Sequence, residues 1–126
     1  MSRLLFFPLM LMLMVTSSRA ATVEEQLKKL DFEERADQVC VVLGVETIRH
    51  GGQLPNADRL MTSASGRAHV KGASVIAKHA AVRADHHWYR LRFTCDVSDN
   101  HMKAYSFQYE IGSEIPQEQW IDYGLW

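Results

Sequence analysis

Two stretches near the end of this 126-residue chain alternate between apolar and polar side chains, in residues 88–97 and again in residues 104–111. Successive side chains of a β-strand point to opposite faces, so this alternation is typical of a strand with one buried face. The apolar positions are Tyr89, Leu91, Phe93, Cys95, Val97, Tyr105, Phe107, Tyr109 and Ile111. Any fold of the chain must place these two strands side by side and cover their shared apolar face.

The register of the two strands follows from the same pattern. A two-residue turn at Asp99–Asn100 would place Phe93 opposite Ser106 and mix apolar with polar faces. Residue 98 opposite residue 102 aligns the faces instead. The resulting pairs are Tyr89–Ile111, Leu91–Tyr109, Phe93–Phe107, Cys95–Tyr105 and, on the outer face, Arg90–Glu110. We therefore predict a three-residue loop or a bulge at residues 99–101.

Two helices are predicted before the strands. Thr22 and Glu25 have the spacing of a capping box, in which each side chain binds a free main-chain amide of the first turn. Asp31 and Glu34 repeat this spacing and predict a second helix, which should end near His50 because two glycines follow. The apolar residues at helical spacing are Val23, Leu27 and Leu30, then Ala36, Val39, Cys40 and Leu43. Each helix thus presents one apolar stripe.

The two cysteines, Cys40 and Cys95, are 55 positions apart, unlike the close pairs of redox and zinc motifs. Cys40 lies on the buried stripe of the second helix, and Cys95 lies on the inner face of the first strand. We predict a disulfide that joins helix to sheet. The alternative is a pair of buried free thiols.

The remaining segments are patterned more weakly. Pro55–Asn56 marks a turn, residues 58–63 could form a short helix or an edge strand, and residues 70–76 and 80–83 are weak strand candidates. After Gly112 the chain is expected to turn, with Pro116 at the start of a short helix and Gly124 at its end. The predicted class is α+β, with two N-terminal helices packed on a small antiparallel sheet, a helix-to-strand disulfide and a short C-terminal helix.

The first 20 residues have the character of a signal peptide. Arg3 is followed by the apolar run Leu4–Val15 and by Ser18-Arg19-Ala20, whose small residues suit signal peptidase. The run is shorter than the roughly 20 apolar residues of a membrane-spanning helix, so cleavage after Ala20 is preferred over a retained anchor. We predict a signal peptide at residues 1–20 and one exported domain at residues 21–126, with no membrane span after cleavage.

A long block of residues from Trp88 to the end, together with Gln38-Val39-Cys40 in the second helix, forms a distinctive pattern. The block includes Trp88-Tyr89-Arg90-Leu91, Phe93-Thr94-Cys95, Tyr109-Glu110-Ile111-Gly112 and Tyr123-Gly124-Leu125-Trp126. With these residues the chain resembles the bacterial family described as domain of unknown function 930. Its members look like short exported or membrane-tethered proteins of Gram-negative bacteria, so the resemblance implies a periplasmic location and a shared fold. It implies no activity, ligand or catalytic residue.

Charge and motifs argue against several classes of function. The 14 basic residues include Arg3 and Arg19, so the mature domain has about three more acidic than basic residues, which disfavours nucleic acid as a partner. No G-x-S-x-G motif is present and both cysteines enter the predicted bridge, so no catalytic residue and no enzymatic activity are predicted. We interpret the scattered histidines as surface residues and predict no metal site and no cofactor. They are His50, His69, His79, His86, His87 and His101.

Tryptophan, tyrosine and arginine are favoured interface anchors, and six of them suit a partner surface. They are Trp88, Arg90 and Arg92 on the outward face of the first strand, and Trp120, Tyr123 and Trp126 near the C-terminus. The alternative is that the large rings complete a small core, with the C-terminal residues packed on the sheet.

The function predicted from these features is a non-catalytic interaction or envelope-support module with an unknown periplasmic or envelope protein as its partner. A small-ligand or metal-binding periplasmic protein is the alternative, and an enzyme acting on cell-wall or glycan substrates is a weaker third. A sheet–helix pocket of several hundred cubic ångströms lined by Tyr89, Leu91 and Tyr109 would favour the ligand.

Overall fold

The computed structural model describes residues 22–126, and their arrangement is α+β as predicted. The predicted signal peptide lies outside the described residues. Two helices precede five strands, and two short 3₁₀ turns follow them. The elements are α1 (Val23–Lys28), α2 (Phe32–His50), β1 (Ala57–Met61), β2 (His69–Lys71), β3 (Ser74–Ala84), β4 (His87–Val97), β5 (Ala104–Glu114) and the 3₁₀ turns Gln117–Gln119 and Ile121–Tyr123.

Helix α1 begins at the predicted capping box. The amide of Glu25 donates to the Thr22 hydroxyl over 3.2 Å, and the amide of Thr22 donates to the Glu25 carboxylate over 3.3 Å. Helix α2 begins after its N-cap Asp31, as predicted, but the Asp31 side chain makes no capping bond. The connection is held instead by Arg35, which donates to carbonyls at the end of α1, including that of Leu27 over 3.0 Å. A guanidinium suits this place because the last carbonyls of a helix lack partners within it.

Helix α2 packs on the sheet through small and medium side chains. Its buried residues are Ala36, Val39, Cys40, Gly44 and Ile48, while Leu43 is only partly buried. At Gly44 the helix comes so close to the sheet that a Cβ would lie 2.7 Å from the Phe107 ring. The helix ends at His50, as predicted, and Gly52 follows with φ of 83°.

The five strands form one antiparallel sheet in the order β1-β3-β4-β5, and β2 also pairs with β3. The turn predicted at Pro55–Asn56 is present, and residues 58–63, for which a helix and an edge strand were both considered, overlap edge strand β1. The weak candidates at 70–76 and 80–83 belong to the β2–β3 hairpin. Strand β3 was hard to predict because a bulge between Ala77 and Ala80 interrupts its alternation.

The β4–β5 hairpin has the predicted faces, except at the exposed Tyr105, but another register. Leu91, Phe93 and Cys95 of β4 each pair two positions further along β5 than predicted, and Tyr89 pairs with Glu114, three positions further, across an irregularity in the ladder. The observed pairs are Leu91–Ile111, Phe93–Tyr109 and Cys95–Phe107. Arg92, rather than Arg90, consequently lies opposite Glu110. The loop prediction is also wrong, since residues 98–103 connect the strands, and the bulge lies at Tyr105.

The connecting loop explains this register. The Ser98 hydroxyl accepts from the amides of Met102 over 3.2 Å and Lys103 over 3.0 Å. His101 adopts a left-handed backbone with φ of 58° and is buried. Its ring nitrogens lie 2.6 Å from the Phe32 carbonyl oxygen and 2.8 Å from that of Gly72. A two-residue shift leaves every side chain on its face, so alternation cannot distinguish the two registers and the anchored loop does.

The predicted disulfide joins Cys40 of α2 to Cys95 of β4, with both residues fully buried. The bridge lies inside the main apolar core, between the helix stripe and the inner face of the sheet. Neighbouring aromatic residues complete this core, with the rings of Phe93 and Phe107 stacked 4.6 Å apart. Helix and sheet are therefore held by apolar packing and by a covalent bond at the same place.

Candidate functional site

The predicted aromatic surface is largely covered. Trp88 points to the sheet face away from α2, as its position in the alternation requires, yet none of it is exposed. Residues 115–126, which we call the C-terminal segment, lie over it. A smaller apolar cluster results, consisting of Ala81, Trp88, Ile115 and Leu125 with Trp120 and Tyr123 partly buried beside them. The prediction of Trp88 as part of an accessible partner surface is therefore wrong, because its indole is a core residue of this second cluster.

Polar contacts fix the C-terminal segment in place. The strand β5 extends to Glu114, beyond the turn predicted after Gly112, and the predicted short helix is present as two 3₁₀ turns ending at Gly124. The Trp88 indole N–H donates to the main-chain oxygen of Trp126 over 3.0 Å, and the Trp120 indole donates to the Ile115 carbonyl over 2.9 Å. These contacts give both buried indole N–H groups a partner, as burial of a donor requires.

A charged cluster binds the end of this segment. Arg83 donates to the main-chain oxygen of Trp126 over 3.3 Å and forms a two-point ion pair with Asp58. The Arg59 guanidinium lies 4.6 Å from the centroid of the Trp126 ring, in cation–π geometry. Trp126 keeps an exposed outer surface, so of the predicted aromatic residues it remains accessible.

An apolar groove lies on the other side of the molecule, between α1, α2 and the start of β5. Its volume is about 630 Å³. The residues that line it include Val23, Leu27, Val39, Val42, Met102 and Tyr105. The residues expected to line a ligand pocket, Tyr89, Leu91 and Tyr109, do not line this groove. The cavity is therefore at the rim of the helix–sheet layer rather than inside it.

This groove carries exposed large apolar side chains. Val23 is 74% exposed, Val42 60% and Tyr105 68%. The β5 edge starts beside it, and among residues 22–126 this strand pairs with β4 alone. Tyr105 is the extra residue of the β5 bulge, so it has no partner on β4, and its side chain lines the groove. The sequence alternates without a break at this position, and the prediction that Tyr105 lies on the buried face opposite Cys95 is wrong, because Cys95 pairs with Phe107 and Tyr105 is exposed.

Five of the six histidines are exposed, but the surface interpretation is wrong for His101. His101 stacks on Phe32 with ring centroids 3.6 Å apart and bridges the carbonyls of α2 and the β2–β3 turn. His86 lies in the turn before β4 with φ of 65°, and His87 contacts Glu114. Within residues 22–126, no three His, Cys, Asp or Glu side chains lie close enough together to bind a metal ion.

Asp37 of α2 is partly buried and has an unusual environment. One carboxylate oxygen accepts from the Thr62 hydroxyl over 2.7 Å, and the other is buried without a partner among the described residues. Burial raises the pKa of Asp37 above 3.8, with a smaller contribution from Glu33 and an opposing one from the Thr62 bond. The carboxylates of Asp58 and Asp96 differ, because hydrogen bonds from Arg83, and from Ser106 and Ser74, lower their pKa values.

We expect a carboxyl titration followed by NMR to show Asp37 above, and Asp58 and Asp96 below, the ordinary value of 3.8. The folded state then binds the Asp37 proton more tightly than the unfolded state, so this contribution to stability falls as pH rises through its raised pKa. The contributions of Asp58 and Asp96 have the opposite sign and are lost as pH falls through their lowered pKa values. Asp37→Asn should remove the first effect alone, and an Asp37 pKa below that of Asp58 would contradict this assignment.

Helix α2 spans 19 residues, but no helix within residues 22–126 is both long and apolar enough to cross a membrane. No curated protein and no solved structure matches the chain. A family profile does match, and it covers residues 27–125, from the buried Leu27 of α1 to the buried Leu125 of the C-terminal segment. This span includes the disulfide, all five strands and both apolar clusters. The chain therefore belongs to the family described as Domain of Unknown Function (DUF930).

Proposed function

We propose that this protein is a periplasmic, non-catalytic interaction module that binds an extended segment of another envelope protein along strand β5. The observation that carries the proposal is the apolar groove beside the open edge of β5, where Val23, Val42 and Tyr105 are exposed. Exposed apolar surface that is contiguous and borders such an edge is typical of a protein contact site.

The strand edge favours an extended partner. An edge strand presents main-chain N–H and C=O groups without partners, and an added strand satisfies them. Strand β5 has 11 residues and lacks proline, so a partner could pair along much of its length. Every second side chain of an added strand would then point to the helix side, where the groove offers Leu27, Val39 and Met102.

The lining of the groove is better suited to binding than to catalysis. Apolar side chains form most of it, and the ionisable ones are Glu46, Lys103 and Tyr105. General acid–base or nucleophilic catalysis needs a reactive group and a second group positioned to activate it. Apolar contact and main-chain pairing need neither.

Two features support an extracytoplasmic location. Residues 1–20 have the pattern of a signal peptide, and the disulfide between Cys40 and Cys95 suits an oxidising compartment such as the periplasm. Cell fractionation of the native host is the direct measurement. Recovery of the mature protein, with its amino terminus at Ala21, in the periplasmic fraction is expected, and full-length protein in the cytoplasm would contradict this location.

The docking proposal can be tested with random 12-residue peptides displayed on phage and selected on the purified protein. We expect enriched peptides to alternate apolar and polar residues and to slow exchange of β5 main-chain amides. Val42→Asp and Tyr105→Glu should each weaken binding by about tenfold, because each removes a large apolar contact of about 1.4 kcal/mol. The matched control is Ile121→Asp, which adds the same charge at a side chain that is 86% exposed and outside the groove.

Two results would contradict the proposal. Peptides with apolar residues at positions i, i+3, i+4 and i+7 would show that the groove binds a helix. Binding that is equally sensitive to Ile121→Asp, or no enrichment at all, would show that the groove is not a specific docking site.

A further inference from the structure

A basic hollow of about 320 Å³ lies on the sheet face that carries Trp88, beside the C-terminal segment. We define it by Lys78, His79, Arg90, Arg92, Glu110 and Gly112. It includes the two arginines that the sequence suggested for a partner surface. It is separate from the apolar groove, since the two cavities share no lining residue.

The bulge in β3 forms the centre of this hollow. Ala77 pairs with Phe93 and Ala80 pairs with Leu91, so both Lys78 and His79 lie opposite the single residue Arg92. A bulge of this kind changes the direction of side chains and is common next to functional sites. The bulge therefore places two residues of β3, Lys78 and His79, opposite one arginine of β4.

A loop closes one side of the hollow. The amides of Ala64 and Ser65 donate to the His79 carbonyl over 3.0 and 3.1 Å. Gly66 lies against the His79 imidazole so closely that a Cβ would be 2.7 Å from the ring. The loop and the β3 bulge therefore form one fixed wall, and a larger residue at position 66 would push them apart.

Arg90 connects the hollow to the C-terminal segment. Arg90 donates to the side-chain oxygen of Gln119 over 3.1 Å, which orients the guanidinium at the boundary of the hollow. On β5, Gly112 lies beside Arg90, and a Cβ there would be 3.2 Å from the Arg90 Cβ. The missing side chain keeps the hollow open between Arg90 and Glu110.

The charges in the hollow are unbalanced. Lys78, Arg90 and Arg92 are cations, while Glu110 is the one carboxylate of the lining. Within the part of the chain that the structure describes, none of these three cations takes part in an ion pair. Cations held close together repel one another, and a bound anion removes that repulsion and accepts hydrogen bonds from both guanidinium groups.

We propose that the hollow binds a small oxyanion, either the phosphate or the carboxylate groups of a soluble ligand or lipid headgroup. Arginine matches the planar or tetrahedral oxygen arrangement of such groups, and lysine supplies a further point charge. The volume lies near the lower limit for small-molecule sites, which fits a compact anion better than a large ligand.

Isothermal titration calorimetry of the purified protein at low ionic strength, with pyrophosphate and separately with citrate, tests the proposal. We expect one anion per chain, and Arg92→Gln or Lys78→Gln should weaken binding by about five- to tenfold. Arg49→Gln and Lys71→Gln, which remove exposed cations outside the hollow, should have no effect. Glu110→Gln should strengthen binding several-fold because it removes the opposing carboxylate, whereas Glu118→Gln should not.

Vesicles containing phosphatidylglycerol distinguish the source of the anion. Cosedimentation that is lost in Arg92→Gln but kept in Arg49→Gln identifies a lipid headgroup, and calorimetric binding without cosedimentation identifies a soluble ligand. Three results would overturn the proposal. They are no binding of any probe, equal losses in the Arg49 and Arg92 variants, and weaker binding in Glu110→Gln. Thermal unfolding of each variant within a few degrees of the wild type excludes a folding defect.

Discussion

Replacing Trp88 by alanine is expected to lower the free energy of unfolding by about 3 to 5 kcal/mol, the usual range for truncating a buried tryptophan. The side chain is fully buried and is the largest member of the apolar cluster beneath the C-terminal segment. Its removal opens a cavity and leaves the main-chain oxygen of Trp126 without the indole donor. Urea unfolding followed by circular dichroism measures the loss.

Three other substitutions distinguish the loss of packing at Trp88 from the loss of its hydrogen bond. Trp88→Phe keeps most of the ring but removes the N–H donor, so it should cost about 1 kcal/mol for the lost bond and some repacking. Trp126→Ala and Arg92→Ala change exposed side chains and should each cost about 1 kcal/mol or less. If Trp88→Ala folded as stably as the wild type, the C-terminal segment would not cover this residue, and Trp88 would again be a candidate contact residue.

Removing the disulfide is the second large effect that we expect. Cys40 and Cys95 enclose a loop with a sequence separation of 55 residues. On the chain-entropy estimate, closing such a loop stabilises the fold by about 4 kcal/mol, because it restricts the unfolded chain. This is a large part of the roughly 5 to 15 kcal/mol of a typical domain. The double variant Cys40→Ser, Cys95→Ser should therefore unfold at much lower urea concentration.

The slope of the urea transition separates this mechanism from a packing effect. Without the bridge the unfolded chain is more expanded and exposes more surface, so the m-value should rise. The variant Cys40→Ala, Cys95→Ala buries no new hydroxyl groups, and a similar loss in both variants would assign the effect to the cross-link. Equal stability of the double variants and the wild type would contradict a structural role for the bridge.

The sequence predicted the elements whose signals are local. The capping box at Thr22, the stripe of α2 and the alternation of β4 and β5 all depend on residues a few positions apart. The disulfide could be predicted from these patterns, because each cysteine lies on the inward face of its own element. The prediction of the bridge needed only the apolar faces of α2 and β4, and it did not depend on the register of the β4–β5 hairpin.

The candidate sites could be predicted only in part. Arg90 and Arg92 were recognised as outward-facing residues, but Lys78 and His79 were missed because the β3 bulge interrupts the alternation. The apolar groove was missed for a similar reason. It forms where the neighbouring helices α1 and α2 meet the 102–105 segment, which is far from both helices in the chain.

Patterns in the amino-acid sequence were sufficient to predict the α+β class, the inward and outward faces and the disulfide, because helical and strand periodicity are properties of neighbouring residues. The hairpin register depends instead on contacts between distant residues, since a shift of two residues preserves the faces and the anchoring of His101 selects one alternative. The tertiary structure also buries the outward-facing Trp88. A strand pattern assigns a side chain to a face, and whether that face meets water depends on the distant segment that packs against it.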